Sequence, residues 1–117
     1  MSGYKLINYK GKEILYVDYS GMLKEDVLKT MDEATVFALE QNRPLLRLSN
    51  MTGVFAVTEV VEKAKESGKI TNHLTIKRAA VGITGAKKVL FNAFNRFSGN
   101  DTRAFDSVDD AKEWLVI

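Results

Sequence analysis

The stretch Lys77-Arg78-Ala79-Ala80-Val81-Gly82-Ile83-Thr84-Gly85-Ala86-Lys87-Lys88-Val89-Leu90-Phe91-Asn92-Ala93-Phe94-Asn95-Arg96-Phe97 decides the fold. Ala79, Val81 and Ile83 alternate with Ala80, Gly82 and Thr84, the period of a strand. Gly85 breaks that period, and from Ala86 the apolar spacing becomes helical. At about 100° per residue, Ala86, Val89, Leu90, Ala93, Phe94 and Phe97 fall within one arc roughly 140° wide. Lys87, Lys88, Asn92, Asn95 and Arg96 fall outside it. The stretch therefore predicts a strand, a tight turn and an amphipathic helix, and the rest of the chain repeats that unit.

Upstream, residues 4–9 and 13–19 are rich in Ile, Leu, Val and Tyr, with Lys10-Gly11-Lys12 between them. A short turn containing Gly makes this a β-hairpin. Residues 24–42 carry a helical pattern, with Val27, Leu28, Met31, Ala34, Thr35, Ala38 and Leu39 on one face and Glu25 and Asp26 in the first turn. Val36 and Phe37 fall toward the polar side, so one of them should be exposed or meet a neighbouring element. Pro44 ends the helix. Residues 45–49 predict a short strand with one awkward member, Arg47. After a loop at 50–56, Thr58 is expected to cap a helix that Gly68 terminates.

Downstream, residues 98–101 form a turn cluster and 102–105 a last short strand. Ser107-x-x-Asp110 is a capping-box-like start. Val108, Ala111, Trp114 and Leu115 then make the inner face of a final helix.

A chain of 117 residues is one domain in size. Hydrophobic content of 45% beside 27% charged residues is ordinary for a globular protein. A net charge of +2 does not argue for nucleic acid. The lack of cysteine excludes disulfides, thiolate catalysis and cysteine metal sites. The N-terminus lacks the apolar run of a signal peptide, and no segment approaches the roughly 20 apolar residues that span a bilayer. A soluble cytoplasmic protein without an integral membrane segment is expected.

The order β-β-α-β-α-β-α-β-α predicts an α/β domain: a mixed, mostly parallel five-stranded sheet with an antiparallel opening hairpin. One face of the strand at 79–83 is Ala79, Val81 and Ile83; the other is Arg78, Ala80, Gly82 and Thr84. A strand buried on both faces would be apolar on both. Most helices are therefore expected on one face, over Val81 and Ile83, with the opposite face thinly covered or closed by a second chain. Small residues on that open face, beside a hairpin holding Tyr4, Tyr9, Tyr16 and Tyr19, predict a homodimer through the face or through the hairpin edge.

Three further features bear on function. Gly85, Lys87 and Lys88 place two lysines in a first helical turn, against the macrodipole, where a bound anion would relieve the conflict. The spacing is not the phosphate-binding loop pattern, and two solvated lysines explain it equally. Phe91 falls about 200° from Val89, in a basic face, either as an anchor for a partner or as a single exposed aromatic. His73 has neither metal-ligand spacing nor a nucleophile elbow around it and reads as a loop residue. No metal site, cofactor or catalytic residue stands out.

The order of elements, the hairpin ending Tyr16-Val17-Asp18-Tyr19-Ser20-Gly21, the turn Ala80-Val81-Gly82-Ile83-Thr84-Gly85 and the ending from Phe105 through Ala111-Lys112-Glu113-Trp114-Leu115 resemble the SpoIIAA-like branch of the STAS domains. These are the anti-sigma-factor antagonist and sulphate-transporter modules, and the branch includes small bacterial proteins. The resemblance spans nearly the whole chain. It implies a superhelix of βα units and a non-enzymatic domain that binds a protein partner. It also implies a phospho-acceptor in the loop after the central strand, here Ser49, Thr52 and Gly53, where Asn50 stands in place of the family's aspartate. Those polar residues would otherwise satisfy loop backbone groups. Chains of this branch are also compared with lipid-binding SEC14-type domains, so a carrier of a small apolar or anionic ligand is the second reading.

Overall fold

The computed structural model describes residues 3–55, 57–84, 88, 91 and 102–117. Strands β1 (Tyr4–Tyr9), β2 (Lys12–Asp18), β3 (Leu45–Asn50), β4 (Thr75–Val81) and β5 (Thr102–Phe105) form one sheet in sequential order. β1 runs antiparallel to β2, and every other pair is parallel. The hairpin turns on Lys10 (φ 51°) and Gly11 (φ 82°) between the paired Tyr9 and Lys12. Two successive positive φ values define the tight turn whose twist matches its strands. Among the described residues the continuous helices are α1 (Lys24–Gln41), α2 (Thr58–Thr71) and α3 (Val108–Leu115), with a 3-10 turn at Asn72–Leu74 that carries the exposed His73.

Period-two alternation divides the strands between two cores. On one face Leu15, Val17 and Leu45 meet Val27, Met31, Ala34 and Ala38 of α1 and Val60 of α2. On the other, Ile14, Leu46, Leu48, Ala79 and Val81 meet only Ala111 and Leu115 of α3 among the fully buried residues. These three helices are thus unequally shared, α1 and α2 against α3. The deep layer lies opposite to where the pattern of β4 placed it: Ala79 and Val81 lie under the short helix, and the mixed Arg78–Ala80 face lies under α2. That face is not open to a second chain, because Arg78 reaches across it to hydrogen-bond the α2 carbonyl of Gly68 at 3.1 Å.

Several boundaries differ from expectation for local reasons. β4 stops at Val81 because Gly82 takes φ 86°. A Cβ at Gly82 would lie 2.5 Å from the backbone nitrogen of Thr52, so the β3–α2 loop sits directly against it. α2 runs through Gly68 to Thr71, with Val57 rather than Thr58 at its N-cap. Glycine costs a helix interior about 1 kcal/mol, but Gly68 is buried and its carbonyl is bonded by Arg78. In α1, Thr30 is buried and Leu39 is partly exposed. Val36 is exposed, and the Phe37 ring lies 5.3 Å from that of Tyr4, so the two residues of uncertain side take both expected fates. α3 begins as its sequence indicates, with Ser107 Oγ accepting from the Asp110 amide at 3.1 Å. No helix among the described residues is long and apolar enough to cross a membrane.

Candidate ligand-binding cleft

The carboxyl ends of the parallel strands are laced together. Asp18 and Asn50 are register partners at the ends of β2 and β3. Asp18 Oδ1 accepts from the amide and hydroxyl of Ser20, at 2.9 and 2.6 Å. Asn50 Oδ1 does the same for Thr52, at 3.1 and 2.7 Å. Both are turns closed by a short polar side chain onto its own backbone two residues on. The Gly21 amide donates to the Thr52 carbonyl, and the Met51 amide donates to that of Val81. Thr52 and Gly53 are therefore exposed but built into the loop, and the Thr52 proton is committed to Asn50.

Beneath these loops, between α2 and the β3–β4 surface, lies a cleft of about 150 Å³. Small residues on both sides leave it open, Ala64, Ser67 and Gly68 on α2 and Ser49 and Ala80 on the strands. Its apolar wall includes Met31, Val60, Val61, Ala80, Ile83 and Phe91, and its polar end includes Arg47, Arg78, Tyr19 and Ser49.

The two arginines are brought side by side by a sheet irregularity. Leu45 pairs with Thr75, but Arg47 pairs with Arg78, a one-residue shift in register. Such irregularities re-aim side chains near functional sites. Both guanidiniums donate to the same atom, Oγ1 of the fully buried Thr71, at 3.3 Å from Arg47 and 3.2 Å from Arg78. Arg78 also donates to the Gly68 carbonyl and to Thr75 Oγ1, which sets its charge against the negative end of the α2 dipole. Among the described residues, Arg47 has only the Thr71 bond. Neither arginine forms an ion pair with a described residue.

The electrostatics follow from this placement. Burial pushes the Arg78 guanidinium down to about 10, and the charge of Arg47 adds to the effect. Burial also lowers Arg47, and Tyr19 partly offsets that. Both remain charged at neutral pH. Burial drives the Tyr19 hydroxyl well above its ordinary value, and the neighbouring Arg47 charge pulls it back only in part. That hydroxyl, on a residue only 5% exposed, has no hydrogen-bond partner among the described residues.

Of the residues singled out from the sequence, Ser49 and Phe91 come together in the cleft, both half-buried. Thr52 and Gly53 do not line it. Lys88 is helical and exposed, and Gly85 and Lys87 lie outside the described residues. The sequence places Arg78 on a mixed sheet face and Tyr19 in a tyrosine-rich hairpin, open to an interface or a ligand pocket, but marks neither as a donor to an anion. The one signal of such a donor was the oddity of a charged Arg47 inside an apolar strand.

No protein-family model matches the chain, and no curated protein matches its sequence. Its structure is similar to that of an anti-sigma-factor antagonist (STAS) domain protein from Planctomyces limnophilus. The TM-score is 0.68, and the match covers 99% of this chain and 100% of that one at 10% sequence identity. The chain has a STAS-domain fold, and at that identity the likeness is one of fold.

Proposed function

We propose that the chain is a non-enzymatic regulatory binding domain of the STAS type, and that the cleft under α2 is its site for an anion. One observation carries this reading: Arg47 and Arg78 stand together in the cleft, and neither meets a carboxylate among the described residues. Two like charges withdrawn from water without a carboxylate are unfavourable; the α2 dipole answers much of the Arg78 charge, and an anion relieves what is left, chiefly at Arg47. The described lining holds no histidine, carboxylate or lysine, so it offers no acid–base pair titrating near neutral pH. That favours binding over catalysis.

The test is an NMR titration with sodium acetate and sodium phosphate, following the guanidinium Nε signals of Arg47 and Arg78. Saturable shifts centred on these two groups are expected. No saturation with either anion would reject the cleft as an anion site. The amides of Gly85, Lys87 and Lys88 report in the same spectra on the helix-end alternative.

A second reading, contact with a protein partner, is favoured by the rim of the molecule. Leu23 and Val57, the N-caps of α1 and α2, are exposed beside Phe55, which is 79% exposed. The Lys24–Glu59 ion pair at 2.9 Å holds the first turns of the two helices together, so the two caps are neighbours. Exposed aromatic and aliphatic groups clustered at one end are what a partner surface uses. The exposed Thr52 lies in the loop leading to this rim, and phosphate there would add about −2 charge to it. The homodimer expected from the sequence is left with the β1 edge of the sheet, since α2 covers the other route.

A further inference from the structure

Building on the anion-site reading above, we propose that the cleft ligand is a compact carboxylate: one carboxyl group held by Arg47 and Tyr19, on an apolar body no larger than a benzene ring or a short alkyl chain.

The headgroup follows from which donors are unmet. Arg78 is committed to the carbonyl end of α2 through Gly68, and to Thr71 and Thr75. The partial negative charge of a helix C-terminus answers much of its own. Arg47 has one hydrogen bond among the described residues, at 3.3 Å, and so keeps most of its five donors. Tyr19, which faces the field of Arg47, has a hydroxyl in the same cleft with no partner among the described residues. One guanidinium fork with one hydroxyl beside it matches two coplanar oxygens carrying a single charge, which is a carboxylate. A dianion would leave one charge unanswered once Arg78 is balanced by the helix.

The body follows from size and lining. An apolar cavity of about 150 Å³ accommodates benzene, and the cleft has about that volume. Drug-sized ligands need roughly 300 Å³ or more. The lining also includes Met31, Val60, Val61, Ala64 and Ile83, which favour an apolar group over water. Acetate would satisfy the headgroup and leave that wall wet. A long acyl chain would run out of the cleft.

Isothermal calorimetry on the full chain with acetate, benzoate, hexanoate, palmitate, sulfate and benzyl alcohol tests both parts. Benzoate and hexanoate are expected to bind at least tenfold more tightly than acetate, sulfate and benzyl alcohol. If sulfate or acetate binds as tightly as benzoate, the anion site stands and the compact carboxylate is overturned. Palmitate binding tenfold better than hexanoate overturns the size claim. Benzyl alcohol matching benzoate, or no anion binding, overturns the anion site as well. Arg47→Met should weaken benzoate at least tenfold without lowering the thermal midpoint of the unliganded protein, because it removes an uncompensated charge. A lowered midpoint with benzoate binding retained would make Arg47 a structural residue and overturn the proposal. Tyr19→Phe supplies a second variant of nearly unchanged shape. It should weaken benzoate severalfold more than benzyl alcohol, and equal effects on the two would remove Tyr19 from the clamp.

Discussion

Gly82 joins two segments that are about thirty residues apart in sequence. Its positive φ turns the chain out of β4, and its missing side chain admits the backbone of Thr52. Gly82→Ala meets both difficulties, since the left-handed region costs a residue with a Cβ about 1–2 kcal/mol and the obstructing atoms are backbone that cannot swing away. We expect a loss of about 2 kcal/mol or more, measured by urea unfolding. An unchanged midpoint would mean that the loop does not rest on Gly82. At this scale the sequence is legible only where chemistry is local. The cap at Ser107 can be read from four consecutive residues. The meaning of Arg47 cannot, because it depends on a register shift in the neighbouring strand that sets Arg78 beside it, and on Tyr19 arriving from β2.

At the scale of elements, α3 is the short helix on which one whole core depends. Ala111 and Leu115 are almost fully buried against Ile14, Leu46, Leu48, Ala79 and Val81. Lys77 Nζ donates to the Trp114 carbonyl at 3.1 Å and lies 4.9 Å from the centre of its ring, tying the helix end to β4. Tyr9 and Lys10 hydrogen-bond Glu113 from the hairpin. An isolated eight-residue helix is unstable in water, so capping and packing must hold it. Ser107→Ala should cost about 1 kcal/mol and Leu115→Ala about 2–5 kcal/mol, both read from thermal or urea unfolding. If Leu115→Ala is the milder of the two, the core assignment is wrong. The amphipathic pattern made α1 and α3 legible nearly to the residue. α2 was harder: its apolar face is thin because it borders a cleft, and Gly68 resembles a stop signal while lying inside the helix.

At the scale of the molecule, element order gives a mixed, mostly parallel sheet, while the crossover hand leaves several strand orders open and the structure selects the sequential one. The side on which each helix lies was less legible. A strand with one mixed face looks half-exposed in sequence, whereas Arg78 and Ala80 face α2 across the cleft. That placement bears on self-association. The homodimer we propose runs through the β1 edge, so it should be indifferent to changes at Arg78. Sedimentation equilibrium at micromolar concentration should give twice 13.1 kDa for the wild type and for Arg78→Met alike. A mass of 13.1 kDa throughout would reject the dimer, and a dimer lost only in Arg78→Met would return the interface to the sheet face.

The sequential strand order also has a consequence for synthesis. Each strand joins one made just before it, so β1, β2, α1 and β3 can assemble while the ribosome is still translating the rest. The core under α1 gains most of its members in that period. The opposite core cannot close until residues 108–115 have emerged, because Ala111 and Leu115 complete it. For most of its birth the nascent domain therefore holds Ile14, Leu46 and Leu48 as an uncovered greasy surface, which is where a chaperone would find it.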